Sequence, residues 1–135
     1  MAERVKAEPG SIGFVEAQYA AKLNVAQAAV LNPAGRYVKA SGETIAAACL
    51  AVEAPGFDRL SASLTNAPGA DSYPITSFSW LYLRTASPEA WRAKALADWL
   101  NWMFSSGQQI VSQEGYAPLP PPLLAKAKAK VGSHR

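Results

Sequence analysis

The chain has 135 residues, 50% of them hydrophobic and 17% charged, and a formal net charge of +3. That length supports one domain with a core, and the composition argues against disorder. The small positive excess sits partly in Lys126, Lys128, Lys130 and Arg135, so nucleic-acid binding is not expected.

One cysteine, Cys49, excludes an internal disulfide and a cysteine-built metal site, and its apolar neighbours mark it as a buried structural thiol. His134 is the one histidine and lies in the tail, which argues against histidine catalysis or a histidine metal site. No apolar run reaches the ~18 residues that span a membrane. The first residues, Met1-Ala2-Glu3-Arg4-Val5-Lys6, carry no signal peptide.

In chain order, residues 2–7 read as the end of a helix stopped by Pro9-Gly10. Residues 11–15 read as a short strand, in which Gly13 predicts a close approach by another group. Residues 16–23 form a short amphipathic helix with Asn24 as its stop. Residues 25–31 leave strand and helix in competition, with strand preferred. Asn32-Pro33-Ala34-Gly35 is a turn, and 36–39 alternates as a half-buried strand, so the two strands form a hairpin. Ser41 caps a helix over about 42–52, and Glu43 puts negative charge in its first turn. Residues 57–64 are ambiguous and 65–71 are a loop.

Residues 72–84, Ser72 to Arg84, are rich in aromatic and β-branched side chains and read as a central strand. Trp80 to Leu83 are apolar on both faces, as in a strand inside an α/β sheet. Pro74 cannot donate to a ladder, so it belongs at the strand's entry or at a crossing between two bodies. Ser87-Pro88 starts a helix over about 88–104, with Trp91, Ala95, Trp99 and Trp102 on one side. This stripe is read as core packed on the central strand, with a ligand platform as the competing reading. Ser105-Ser106-Gly107 interrupts the helix and 108–113 resumes it. Residues 115–122 are stiff and extended: a surface strap, rather than a proline-motif ligand, because Tyr116 and Leu119 read as buried. A last helix covers about 121–131 and ends in Gly132, with its lysines on a solvated face.

Chemistry-bearing motifs are sparse. No metal-ligand spacing, phosphate-binding glycine loop or nucleophile elbow is present, and the carboxylates are scattered. The candidate anion site is Ser41, Gly42 and Thr44, where hydroxyls and free N–H groups gather at a helix start. The competing reading is an ordinary cap, and Glu43 would repel an anion.

Pro9-Gly10-Ser11-Ile12-Gly13-Phe14-Val15-Glu16, followed by Tyr19-Ala20, resembles the P-G-x-I-G-Y-V-E-x-x-Y-A segment of phosphate-specific substrate-binding proteins. These are the periplasmic receptors of ABC phosphate importers. The resemblance continues in order. Leu64-Thr65-Asn66, Gly69 and Ser72-Tyr73-Pro74-Ile75-Thr76 are similar to that family's segment ending in an aromatic residue, Pro, Ile and Thr. Trp99-Leu100-Asn101-Trp102 with Gly107-Gln108, then Gly115-Tyr116-Ala117-Pro118-Leu119-Pro120, resemble its closing helices and strap.

The resemblance implies an α/β, partial type II periplasmic-binding-protein fold, with a small mixed sheet and flanking helices. It implies a C-terminal half in which 1–76 finish the second lobe and 77–135 return to complete the first. Tyr73, Pro74, Ile75 and Thr76 fall at the crossing, as the hinge. No catalytic residue, metal or cofactor is implied. The family's phosphate ligands lie in its earlier half, and no residue here matches one. The Ser41-Gly42-Glu43-Thr44 stretch resembles the family's Ser-Gly-Thr loop but falls on the wrong side of the Ile-Gly-Phe-Val-Glu segment, so that role is not carried onto it. Inorganic phosphate would then bind only with the missing N-terminal half, an ABC permease would be the partner, and the location would be periplasmic or extracytoplasmic. The alternative is a stand-alone structural or interaction module that associates with itself to cover its unpaired edges.

Overall fold

A computed structural model describes residues 1–52, 62–83 and 89–132. The described elements are α1 (Ala2–Ala7), α2 (Ala17–Lys22), β1 (Val30–Leu31), β2 (Tyr37–Val38), α3 (Gly42–Ala51), α4 (Ala90–Met103), α5 (Gly107–Gln113) and α6 (Pro121–Gly132). β1 and β2 pair antiparallel, Val30 opposite Val38 and Leu31 opposite Tyr37.

The helix ends follow local chemistry. α2 stops where Asn24 takes a left-handed φ of 51°, a conformation asparagine tolerates better than most residues. α3 starts at a reciprocal cap. The Thr44 amide donates to Ser41 Oγ at 3.2 Å, and the Ser41 amide donates to Thr44 Oγ1 at 2.9 Å. This satisfies two amides that would otherwise face solvent unpaired. Between α4 and α5 the Ser105 hydroxyl donates to the Asn101 carbonyl at 2.7 Å, and Gly107 leaves room for the Trp102 carbonyl.

The hairpin turn is built around one side chain. Asn32 Oδ1 accepts from the amides of Ala34 at 3.1 Å and Arg36 at 3.0 Å, and the Gly35 amide returns to the Asn32 carbonyl at 2.9 Å. Asn32 is buried, and its Nδ2 reaches the carbonyls of Gly69, Ala70 and Ser72. The loop that follows α3 in space is therefore stitched to the hairpin. The Tyr73 amide adds a bond to the Thr44 carbonyl at 3.1 Å, and an Arg36–Asp71 ion pair at 2.9 Å closes the outer side. Ala48, Cys49, Leu64 and Ala67 are buried and supply the apolar part of this region's core.

Several expectations are corrected. The central strand is not formed: among the described residues, 72–83 join no sheet. Trp80 and Leu81 are exposed, and Tyr82 keeps 82% of its surface in water. A strand apolar on both faces needs layers on both sides and neighbours at both edges, and the described residues provide neither. Arg84 and the Ser87-Pro88 helix start lie outside the described residues, as does most of the ambiguous 57–64 stretch. The expected mixed sheet is reduced to the two-stranded hairpin. Residues 11–15 form no strand, and Ile12 is 93% exposed. The close approach expected at Gly13 is present, since a Cβ there would lie 2.8 Å from Val5 Cγ2. The tryptophan face of α4 is not buried core. Trp91, Trp99 and Trp102 are exposed and Leu100 is the buried residue of the helix. In the strap, Tyr116 is half exposed instead of buried.

Two predictions follow from this packing. Gly69 has φ +130°, and a Cβ would lie 2.7 Å from Ser72 Oγ and 3.4 Å from Ala51 Cβ. Gly69→Ala should therefore lower stability by roughly 1–3 kcal/mol in denaturant unfolding, through strain and overpacking together. Burial pushes the Cys49 thiol from the ordinary 9.0 up to about 11. The folded chain then holds this proton more tightly than the unfolded one. The stability it contributes is complete below pH 9 and is lost as the pH rises through 11. The difference in unfolding free energy between the chain and Cys49→Ala should shift against the native chain across that window.

Candidate functional site

One concavity is an open trough of about 1700 Å³, lined chiefly by hydrocarbon from Ile12, Phe14, Trp80, Phe104, Leu119 and Leu123. It runs between the 11–15 segment, the extended run after Thr76 and the helices α4–α6. Such a lining seats another apolar surface; an oxyanion would need converging donors. Among the described residues no group of three His, Cys, Asp or Glu side chains could hold a metal ion. No described helix is long and apolar enough to cross a membrane.

The sequence candidates fall in different places. Ser41, Gly42 and Thr44 stand together at the start of α3, and both hydroxyls are occupied by the cap. Thr44 Oγ1 also donates to the Lys39 carbonyl at 2.8 Å. Tyr73, Pro74, Ile75 and Thr76 lie where the hairpin region hands the chain on to the trough. Pro74 accepts from the Asn66 amide at 2.9 Å, and Thr76 Oγ1 donates to the Tyr73 carbonyl at 2.9 Å. The anion candidate and the hinge candidate are thus bridged by the Tyr73–Thr44 backbone bond.

Sequence reasoning missed a polar clasp on the far side of the trough. Gln18 is buried, and its Nε2 donates to Glu16 Oε2 at 2.7 Å and to the Tyr116 hydroxyl. Tyr116 in turn donates to Glu16 Oε2 at 3.2 Å, and a Lys22–Glu114 ion pair at 3.1 Å lies alongside. These contacts join residues almost one hundred positions apart. Gln108 holds the same strap from below: its Nε2 donates to the Met103 carbonyl and its Oε1 accepts the Leu119 amide, both at 3.0 Å. The only sequence signal was that Glu16, Gln108 and Tyr116 all fall in motif segments. Tyr116→Phe removes one partner each from the buried Gln18 amide and the Glu16 carboxylate. It should cost about 1 kcal/mol in thermal or denaturant unfolding.

Residues 1–106 match the PBP superfamily domain. The chain belongs to the PBP superfamily, whose fold is that of periplasmic binding proteins. Over 129 residues, 96% of its length, it is 33% identical to the phosphate-binding protein PstS of Xylella fastidiosa strain 9a5c, of which it covers 35%. It is 32% identical to the PstS of Pasteurella multocida, over 89% of this chain and 35% of that protein. The PstS of Methanocaldococcus jannaschii is 34% identical, over 86% of this chain and 33% of that protein. The chain spans about one third of the length of these relatives. An open apolar trough in a PBP-superfamily chain is thus accompanied by relatives about three times as long.

Proposed function

We propose that this chain is the C-terminal portion of a phosphate-binding receptor for ABC-type phosphate import, a binding component and not an enzyme. The observation that carries this reading is the 33% identity, sustained over 96% of the chain, to one third of a phosphate-binding protein. In this reading residues 1–76 belong to the second lobe, 77–135 complete the first, and Tyr73, Pro74, Ile75 and Thr76 carry the crossing. The phosphate ligands come from the complementary portion, in the same polypeptide or from a second chain. The same portion covers the trough and pairs with the extended run after Thr76, which yields the mixed sheet of a type II fold. The importer's permease is the partner by family relationship, and the site of action is outside the cytoplasmic membrane. The trough supports this reading because it exposes Ile12, Phe14 and Trp80, side chains whose burial is strongly favourable once a partner surface is present.

Calorimetric titration with inorganic phosphate, with molar mass measured in parallel, tests the proposal. The chain alone should give no binding heat, and addition of the complementary receptor portion should restore saturable binding at one phosphate per assembly. Tight binding by the chain alone would overturn the assignment of the ligands to the complement. No binding in the complemented assembly would overturn the receptor reading. A dimeric mass that persists after the complement is added would do the same, in favour of a self-associating module.

A further inference from the structure

We infer that Asn32 anchors the interlobe connection to the hairpin body, so that residues 72–76 are a rigid foot and the pivot lies beyond Thr76. The inference rests on the receptor reading for the second body against which the pivot would move. Its physical basis is local. Asn32 is 4% exposed and uses both ends of its amide. Oδ1 fixes the turn through Ala34 and Arg36, while Nδ2 lies 3.2, 2.9 and 3.2 Å from the carbonyls of Gly69, Ala70 and Ser72.

The foot is tied at Ser72, Tyr73, Pro74 and Thr76, while Ile75 between them is 69% exposed. The Ser72 hydroxyl donates to the Pro68 carbonyl at 3.1 Å, and its amide donates to the Gly69 carbonyl at 3.2 Å. Tyr73 is bonded to the first turn of α3, Pro74 to Asn66, and Thr76 back onto Tyr73. Ser72, Pro74 and Thr76 are buried. The contrast beyond Thr76 is sharp. Residues 79–82 are exposed, and the backbone of 79–83 makes no hydrogen bond to another described residue. A segment tied at Ser72, Tyr73, Pro74 and Thr76 and released soon after it concentrates angular freedom on the released side. Asn32 thus acts as a positioning residue: it sets where the connection leaves the body.

Hydrogen exchange on the full chain, read at single-amide resolution, tests this. The Ser72 and Tyr73 amides should exchange slowly, and those of 79–83 at near-unprotected rates. Asn32→Asp keeps the oxygen that accepts from Ala34 and Arg36 but replaces the donor with an acceptor facing three carbonyls. It should speed exchange at Ser72 and Tyr73 by about tenfold or more, the scale of one net hydrogen bond. The Arg36 amide and the amides of α3 after its first turn should keep their native rates, which a general loss of stability would not allow. Equal exchange at Tyr73 and at 79–83 in the unmodified chain would overturn the proposal. So would an Asn32→Asp chain in which Tyr73 is unaffected, or in which α3 loosens to the same degree. None of these readings involves phosphate, so a failed titration would remove the receptor while leaving the position of the pivot to stand or fall on exchange alone.

Discussion

The buried amide of Asn32 is the constraint on which the ordered N-terminal region depends. An amide taken out of water without partners costs a few kcal/mol, whereas a satisfied one contributes about 1 kcal/mol per bond. Its value is therefore mainly in specificity: this arrangement of the hairpin and the 66–76 loop satisfies both its oxygen and its nitrogen. The two short strands alone would not hold. A two-residue ladder is far below what an isolated hairpin needs in water. The hairpin persists because its turn is tied from inside to a loop that is itself tied to α3. That arrangement lets so few buried side chains, Ala48, Cys49, Leu64 and Ala67 among them, define one conformation.

What could be read from the sequence and what could not divide by the range of the interaction. Helices and their ends are set within four or five residues. Ser41 as a cap, Asn24 as a stop, the break at Ser105-Ser106-Gly107 and the final helix from Pro121 all agree with the structure. The hairpin was legible for the same reason, through Asn32-Pro33-Ala34-Gly35. The role of Asn32 beyond its own turn was not, because nothing local tells that its nitrogen will meet carbonyls some forty residues away. The Gln18–Tyr116 contact was hidden in the same way. Strands failed most. The pattern from Trp80 to Leu83 states that both faces prefer burial, but it cannot state whether the same chain supplies the layers.

That mismatch is itself informative. The tryptophan side of α4, Ile12 and Phe14 in the 11–15 segment, and Trp80 to Tyr82 are apolar side chains left in water together, bordering or near one trough. Scattered exposed hydrophobic residues are ordinary, whereas a large exposed apolar patch commonly marks an interaction surface. The proposed receptor reading offers a reason, since the relatives are about three times as long as this chain. Under the proposed receptor reading, the sequence pattern and the exposure have one origin: side chains suited to neighbours beyond these residues.

In that reading, magnitudes indicate how such neighbours would be delivered. Covering a largely exposed Ile, Phe or Tyr gains roughly 1.5–3 kcal/mol, and a half-exposed Trp somewhat less. The exposed residues of the trough and of α4 together therefore offer on the order of 10 kcal/mol. Joining two separate chains costs an estimated ~4–15 kcal/mol in lost translation and rotation, before any side chain or strand is ordered. In trans, gain and cost are of the same size, and the assembly would be marginal. A covalent linkage turns the same docking into an intramolecular step at an effective concentration of order mM, which removes most of that cost. The extended run beyond Thr76 adds backbone pairing to the balance only when a strand is held beside it. Under the proposed receptor reading, this balance favours a complement on the same polypeptide. A separate chain could serve only where its concentration is high or its pairing with 79–83 is extensive.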